Sequence, residues 1–381
     1  MSWPNIDYGA VVQQPKLYFL DSQLQGMTVA RERGVPKEVP GANAVVYRIK
    51  TGQKDLALRF FTKRPSEGTI ERYQVLSERR LRGESAYIPQ CYVFPTGLCH
   101  GSETFPVVAL DWVEGKRLDR FIIDGPSKSD VDQLANGVAT LAKKLREDRF
   151  AHGDIQMKNL IVTPDSRILL VDLDGVWLPE LAHYPPNEVG HRHFQHPQRS
   201  EDTIWDESVD AFAFASLYTS LRAIAADWGL LDLCSDQRLV LSSNDYENPT
   251  SSTTFFRLAT SPDVSVRRLS ETLFRWCGDS ASLYDSFATF EEATPHAAMM
   301  DTPRRRVVRQ TVAEGSTIQP PTTLAAVRAA SASAAASIAS VKPNAVQVVV
   351  GRGKSRKLRL LAYGCVSAGV ITLLVLLLSQ R

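Results

Sequence analysis

Two stretches, His152-Gly153-Asp154-Ile155-Gln156-Met157-Lys158-Asn159 and, thirteen residues after Asn159, Asp172-Leu173-Asp174-Gly175, constrain this chain more than any other feature. Between them stand two apolar runs, Leu160-Ile161-Val162 and Ile168-Leu169-Leu170-Val171, split by Thr163-Pro164-Asp165-Ser166. Short apolar runs divided by such a turn predict a two-stranded hairpin. A hairpin doubles the chain back, so Asn159 at its start and Asp172 at its end arrive in one cleft beside Asp154. There Asp154 can orient a hydroxyl and accept its proton, while Asn159 and Asp172 can hold Mg²⁺ on the phosphates of a nucleotide. For the triplet taken alone, a hairpin with ordinary turn carboxylates is the plainer alternative.

The length of 381 residues leaves room for a domain of roughly 250–300 residues plus something extra. The net charge of +2 hides a split: from Pro303 onward twelve Lys/Arg face one acid, Glu314, giving +11 and leaving −9 on the first 302 residues. An acidic body argues against nucleic acid as a partner, and the basic tail is the part suited to an anionic surface. Five cysteines, odd in number and without a C-x-x-C pair, fit reduced thiols in a cytosolic compartment. The start, Met1-Ser2-Trp3-Pro4-Asn5, has neither the charge nor the apolar run of a signal peptide.

Residues 1–38 are weakly patterned and read as an N-terminal extension. Val45–Ile49 and Leu56–Phe61 predict two strands around Thr51-Gly52-Gln53-Lys54-Asp55. Before them, Gly41 in Val39-Pro40-Gly41-Ala42-Asn43-Ala44 is a candidate for letting backbone N–H groups approach a phosphate, with a plain loop equally open. Glu71–Leu81 is helical in composition and is stopped by Gly83. Glu78 on it follows Arg59 by nineteen residues, a spacing that suits a strand cation meeting a helix carboxylate; a solvated charge is the alternative. Phe105–Gly115 reads as a buried strand entering a connector. Ser127 or Ser129 then caps a helix whose Val131, Leu134, Val138, Leu141, Ala142 and Leu145 share a face. Pro262-Asp263 opens another, with Val266, Leu269, Leu273, Phe274 and Cys277 on one side.

Beyond Pro295, Arg304-Arg305-Arg306 and the Ala/Ser runs near Ala329–Ala334 cannot build a core and predict a disordered linker. Leu360–Leu378 is a run of nineteen residues without a charge. As a helix it would be about 28 Å long, close to the roughly 30 Å hydrocarbon thickness of a bilayer. Arg352, Lys354, Arg356, Lys357 and Arg359 precede it and only Arg381 follows, which predicts a cytoplasmic body.

Taken together, these motifs resemble the eukaryotic-type protein kinase domain, of the divergent kind found in prokaryotes, from about Val39 to about Cys277. His152-Gly153-Asp154…Asn159 looks like the family's H-R-D-x-x-x-x-N loop, and Asp172-Leu173-Asp174 like its D-F-G. The resemblance implies Asp154 as the catalytic group, Asn159 and Asp172 as metal ligands, and Arg59 with Glu78 as the phosphate-positioning pair. It also implies Asp111 and Val113 at an adenine-binding hinge, and His152, Lys158, Asp174 and Asp210 in supporting roles, Asp210 bracing the catalytic loop. Gly190-His191-Arg192-His193-Phe194-Gln195-His196-Pro197-Gln198 is similar to the end of an activation segment.

The chain departs from the family pattern at several positions. Arg59 replaces a lysine and is not equivalent to it at a site shaped for a point charge. Gly153 replaces the arginine before the catalytic Asp. Gln156 stands where the family has a lysine, with Lys158 two residues on, and Gln198 replaces the A-P-E glutamate. His191, His193 and His196, with His183, invite a metal reading, for which packing is the plainer account.

The resemblance implies an α+β, two-lobed protein-kinase-like fold, with an N-lobe and hinge at 39–113 and a C-lobe at 114–298, to which composition adds a basic Ala/Ser-rich disordered linker at 299–359 and a single C-terminal transmembrane helix at 360–378. The expected function is Mg-ATP-dependent transfer of the γ-phosphoryl group to Ser/Thr of a protein, with ATP and Mg²⁺ as cofactors. The expected location is the cell membrane, single-pass and tail-anchored through Leu360–Leu378, with no nucleic acid and no obligate oligomer. A catalytically impaired pseudokinase acting as a nucleotide-binding scaffold is the alternative. H-G-D also opens the loop of small-molecule phosphotransferases, against which the Gly190–Gln198 stretch and the Asp210 spacing weigh.

Overall fold

Along one strand, period-two alternation separates the core of this protein from its cleft. In the computed structural model, which describes residues 3–200, 202, 205–285, 287–288, 290, 366–367 and 370–371, that strand is β6 (Asp55–Phe61). Three short helices, α1 (Tyr8–Gln13), α2 (Pro15–Tyr18) and α3 (Ser22–Gln25), precede the sheet. Then come β1 (Thr28–Val29), the two-residue ribbon β2–β3 (Arg31–Glu32, Val35–Pro36), β4 (Glu38–Pro40), β5 (Ala44–Lys50) and β6. After α4 (Thr69–Leu81) follow β7 (Cys91–His100) and β8 (Glu103–Asp111). The sheet is antiparallel in the order β1-β5-β6-β8-β7, with β4 also on β5. The hairpin expected around Thr51–Asp55 pairs Ala44 with Phe61 and Lys50 with Asp55.

Leu56, Leu58 and Phe60 of β6 pack with Tyr47, Ile49, Val107 and Ala109 on one face, and Tyr8, Val11, Val12, Phe19 and Leu24 of the N-terminal segment cover that face. Tyr8 stacks on Phe60 with ring centroids 4.7 Å apart. Trp3 Nε1 and the Tyr8 hydroxyl both donate to the Phe61 carbonyl, at 2.8 and 2.6 Å. Residues 3–27 are therefore part of the core. Their helices of six, four and four residues are too short to show a periodicity in sequence. The opposite phase of β6 faces α4, where Phe61 packs with Tyr73 and Leu76. Arg59 belongs to this phase.

The rest of the body is mainly helical. A small sheet joins β9 (Lys116–Arg117), β10 (Leu160–Val162) and β11 (Ile168–Leu170) in the order β11-β10-β9. Its β10–β11 hairpin, registered Leu160↔Leu170 and Val162↔Ile168, is the one the apolar runs predict. After α5 (Leu118–Ile123), α6 (Lys128–Glu147) begins at Ser127, whose side chain and that of Asp130 exchange bonds with each other's backbone N–H in a capping box. Its apolar stripe packs against α7 (Ala211–Ala226), a helix buried on almost every side. The short helices α8 (Ser243–Glu247) and α9 (Thr253–Ala259) lead to α10 (Val264–Gly278), capped by Asp263. The architecture is thus mixed α+β with antiparallel sheets.

Met1–Arg328 groups as one unit and Ala329–Arg381 as another. Among the described residues no helix is long and apolar enough to cross a membrane. The expected linker at 299–359 lies outside the described residues. So does the expected span at 360–378, apart from two paired two-residue strands, Val366–Ser367 and Val370–Ile371.

Candidate functional site

Asp210, at the start of α7, holds the turn that carries Asp154. Its buried carboxylate accepts the backbone N–H of His152 and, at 2.9 Å, that of Gly153. Burial pushes this carboxyl up, and His152 and the two amide donors pull it back. Gly153 has φ +86°, and a Cβ there would sit 3.1 Å from the Gly175 carbonyl and from the Trp205 ring. Glycine at this position is therefore a steric requirement of the turn. The His152 ring has Nε2 2.9 Å from the Val171 carbonyl, and its Nδ1 accepts the Asp154 N–H at 3.3 Å. Those partners require the tautomer protonated at Nε2.

The hairpin delivers the other two members of the triplet. The Val171 N–H donates to the Asn159 carbonyl at 3.0 Å, which sets Asp172 beside the 3₁₀ turn Met157–Asn159. The Asn159 Nδ2 donates at 2.9 Å both to the Asp154 carbonyl and to its Oδ2. Gln156 Nε2 also reaches Oδ2, and the backbone N–H of His191 donates to Oδ1 at 2.7 Å. Asp154 is only 5% exposed, and three neighbouring groups bond its carboxylate and set its orientation. Asp172 holds the left-handed conformation, φ 64°, and its side chain is half exposed.

Arg59 closes the cleft from the β6 side. Its Nη1 lies 3.1 Å from Asp172 Oδ1, and its Nη2 pairs with Asp174 Oδ2. Asp174 also accepts from the Tyr73 hydroxyl at 2.8 Å. Burial pushes the Asp174 carboxyl up, against the pull of Arg59. The Arg59 partners are thus Asp172 and Asp174. Glu78 lies on the exposed side of α4 and makes no ion pair with Arg59. The reason is helical phase: five residues at 100° each put Glu78 roughly 140° round the axis from Tyr73, which faces the cleft.

Two arginines one heptad apart, which sequence reasoning did not single out, dock α4 onto the segment after Asp174. Arg72 is fully buried and donates to the carbonyls of Val176, Glu67 and Pro185 at 2.9, 3.0 and 2.9 Å. Arg79 Nη2 meets both Glu180 oxygens at 2.9 Å.

The remaining expected positions are less central to the cleft. The Gly41 N–H is bonded to the Ala44 carbonyl at 2.8 Å, in a tight turn between β4 and β5. Asp111 is a strand residue paired with Leu56; its N–H goes to Gln90 and its carboxylate to Lys54 at 2.7 Å. Val113 is half-buried and engages no hydrogen bond among the described residues. Lys158 reaches outward to Asp236 at 3.3 Å. Of the histidines, His193 Nδ1 accepts from the Ser243 N–H, and His196 lies against the Trp276 carbonyl, with burial holding both rings below the usual range. These contacts are packing contacts.

Comparison of the chain with protein-family models and with curated proteins gives no match. Its chemistry is therefore read from its own groups. Among the described residues no three His, Cys, Asp or Glu side chains converge to hold a metal ion by themselves. The Asp172 carboxylate and Asn159 amide are hard oxygen donors, of the kind Mg²⁺ uses when phosphate oxygens and waters complete its shell. The Arg59 Nε is buried and has no partner among the described residues. This donor set fits a magnesium–phosphate group.

Glu188 was missed by sequence reasoning. A Cβ on Gly175 would come within 3.0 Å of its Oε1, so the carboxyl lies against the Asp174–Gly175 turn. Neighbouring Asn187 bonds the Asp174 carbonyl at 2.8 Å. Desolvation, and then the fields of Asp154, Asp172 and Asp174, push Glu188 up to about 8. The folded state binds this proton more tightly than the unfolded chain. The associated stability is complete below the unfolded value of about 4.3 and is lost as pH rises through about 8. Glu188 is nonetheless an exposed residue, so water screens both the desolvation and the neighbouring charges and only a modest effect is expected. Glu188→Gln should raise the melting temperature by about 2–4 °C at pH 9 and leave it unchanged at pH 5. Equal shifts at the two pH values, read by circular dichroism, would contradict the assignment.

Proposed function

We propose that this protein is a Mg-ATP-dependent phosphotransferase of the protein-kinase type, with a Ser/Thr hydroxyl of a protein as acceptor. The observation that carries this reading is the convergence of Asp154, Asn159 and Asp172 on one hairpin, with Asp210 holding the turn by two backbone N–H groups. In this reading the large sheet with α4 is one lobe, α6 to α10 the other, and the cleft lies between Arg59 and Asp154. Asp154 orients the acceptor hydroxyl and takes its proton. Asn159 and Asp172 would hold Mg²⁺, which when bound neutralises phosphate charge. Arg59, positioned by Asp172 and Asp174, directs its donors at phosphate oxygens.

One observation favours a second reading. Arg59 bridges both aspartates, so an internal cation already neutralises them, as suits a nucleotide-binding scaffold without turnover. Calorimetric titration with Mg-ATP, followed by a phosphoryl-transfer assay on a generic protein acceptor, separates the two. Binding with transfer supports the enzyme, binding without transfer the scaffold, and no binding removes both.

The apolar run Leu360–Leu378, with five Lys/Arg just before it, supports a membrane anchor and a cytoplasmic body. A chain ending at Val350 is then expected in the soluble fraction, while the full chain sediments with membranes. A truncated chain that stays with membranes would refute the anchor.

A further inference from the structure

A buried guanidinium, Arg199, lies against the turn that carries Asp154. Arg199 Nη2 lies 3.3 Å from the Gly153 carbonyl, while its Nη1 donates to Gln195 Oε1 at 2.6 Å and to the Val209 carbonyl at 3.3 Å. The Gly153 N–H is held by Asp210, so both ends of this residue are gripped, one by an anion and one by a cation. Arg199 makes no ion pair among the described residues. Burial holds its guanidinium below the usual range, and the fields of Asp210, Asp154 and Glu188 offset this. Gly190 leaves room for the Gln195 amide, which holds Arg199, beside the Gly153 carbonyl. At φ +86°, a Cβ there would lie 2.7 Å from the Gly153 carbonyl and 2.3 Å from Gln195 Nε2. The next residue, His191, donates its N–H to Asp154 itself.

We propose that Arg199 is a positioning residue for the Gly153–Asp154 turn, so that Asp154 is oriented by the chain alone without a phosphate. The role rests on the phosphotransferase reading, and the test separates the two. On the full-length protein, Arg199→Gln is expected to speed hydrogen–deuterium exchange in a peptide spanning Ala151–Ile155 about tenfold, with α6 and α7 unchanged. The kcat for phosphoryl transfer should fall about tenfold while KM for ATP stays constant, since Arg199 touches neither Arg59 nor Asp172. Arg199→Lys should restore most of both, because an ammonium also donates to a carbonyl. Exchange at wild-type rates in Arg199→Gln, or faster exchange spread equally over α6 and α7, would overturn the proposal. If the wild-type chain transfers no phosphoryl group, the enzyme reading falls, and the exchange measurement alone decides whether Arg199 holds the turn.

Discussion

Asp172→Asn should abolish phosphoryl transfer, and Asp154→Ala should lower kcat by about 10²–10⁴-fold while nucleotide binding survives. The two differ because the residues face different partners. Asp172 is half exposed in the cleft and shares Arg59 with Asp174. The amide keeps the shape but removes the charge that a divalent cation needs, and Asp174 and Tyr73 keep Arg59 in place, so the fold should persist. Asp154 instead sits among Asn159, Gln156 and His191, away from the Arg59 side. Its loss removes the acceptor for the hydroxyl proton; Asn159 keeps its bond to the residue 154 carbonyl, and Asp172 and Arg59 are untouched. Calorimetry with Mg-ATP alongside initial rates on a protein acceptor checks both. Wild-type turnover in Asp172→Asn would sink the assignment of the metal ligand.

The second large effect is on stability. Arg72→Met should cost about 3–5 kcal/mol and lower the melting temperature by about 10 °C. The methionine fills similar space but leaves the carbonyls of Val176, Glu67 and Pro185 without their donor. The buried Val176 carbonyl left unpaired costs about 1–3 kcal/mol, the partly buried Glu67 and Pro185 carbonyls cost less because water reaches them, and the lost charge-assisted bonds supply the rest. Arg72→Lys should recover only part, since a point charge cannot reach three diverging acceptors as a planar fork does. Thermal unfolding of the three proteins by circular dichroism decides this. A change under 1 kcal/mol for Arg72→Met would show that α4 is held mainly by its apolar contacts.

What was legible in the sequence was local. The β10–β11 hairpin follows from two apolar runs and a Pro/Asp/Ser turn, and it alone brings Asn159 to Asp172. The Ser127 cap and the α6 stripe follow from period and cap chemistry in the same way. The misplaced residues depend on phase or on distant packing. Counting nineteen residues from Arg59 to Glu78 ignored which side of α4 faces the cleft, although the buried Tyr73 and Leu76 define that side. Gly41 looked available because glycine marks a phosphate loop and a tight turn alike. Arg72, Arg79 and Arg199 have no local signature, since a buried arginine and a solvated one read identically until the acceptor carbonyls, some more than forty residues away, are placed.

The paired bonds on the Phe61 carbonyl have a practical consequence. Trp3 and Tyr8 use both lone pairs of that oxygen, two residues beyond Arg59 on the same strand. Residues 3–8 thus behave as a latch on the strand that presents the guanidinium. A proteolytic nick, or a rigid fusion joined directly to Trp3, would tug on the cleft from behind, so a purification handle at this end calls for a slack spacer.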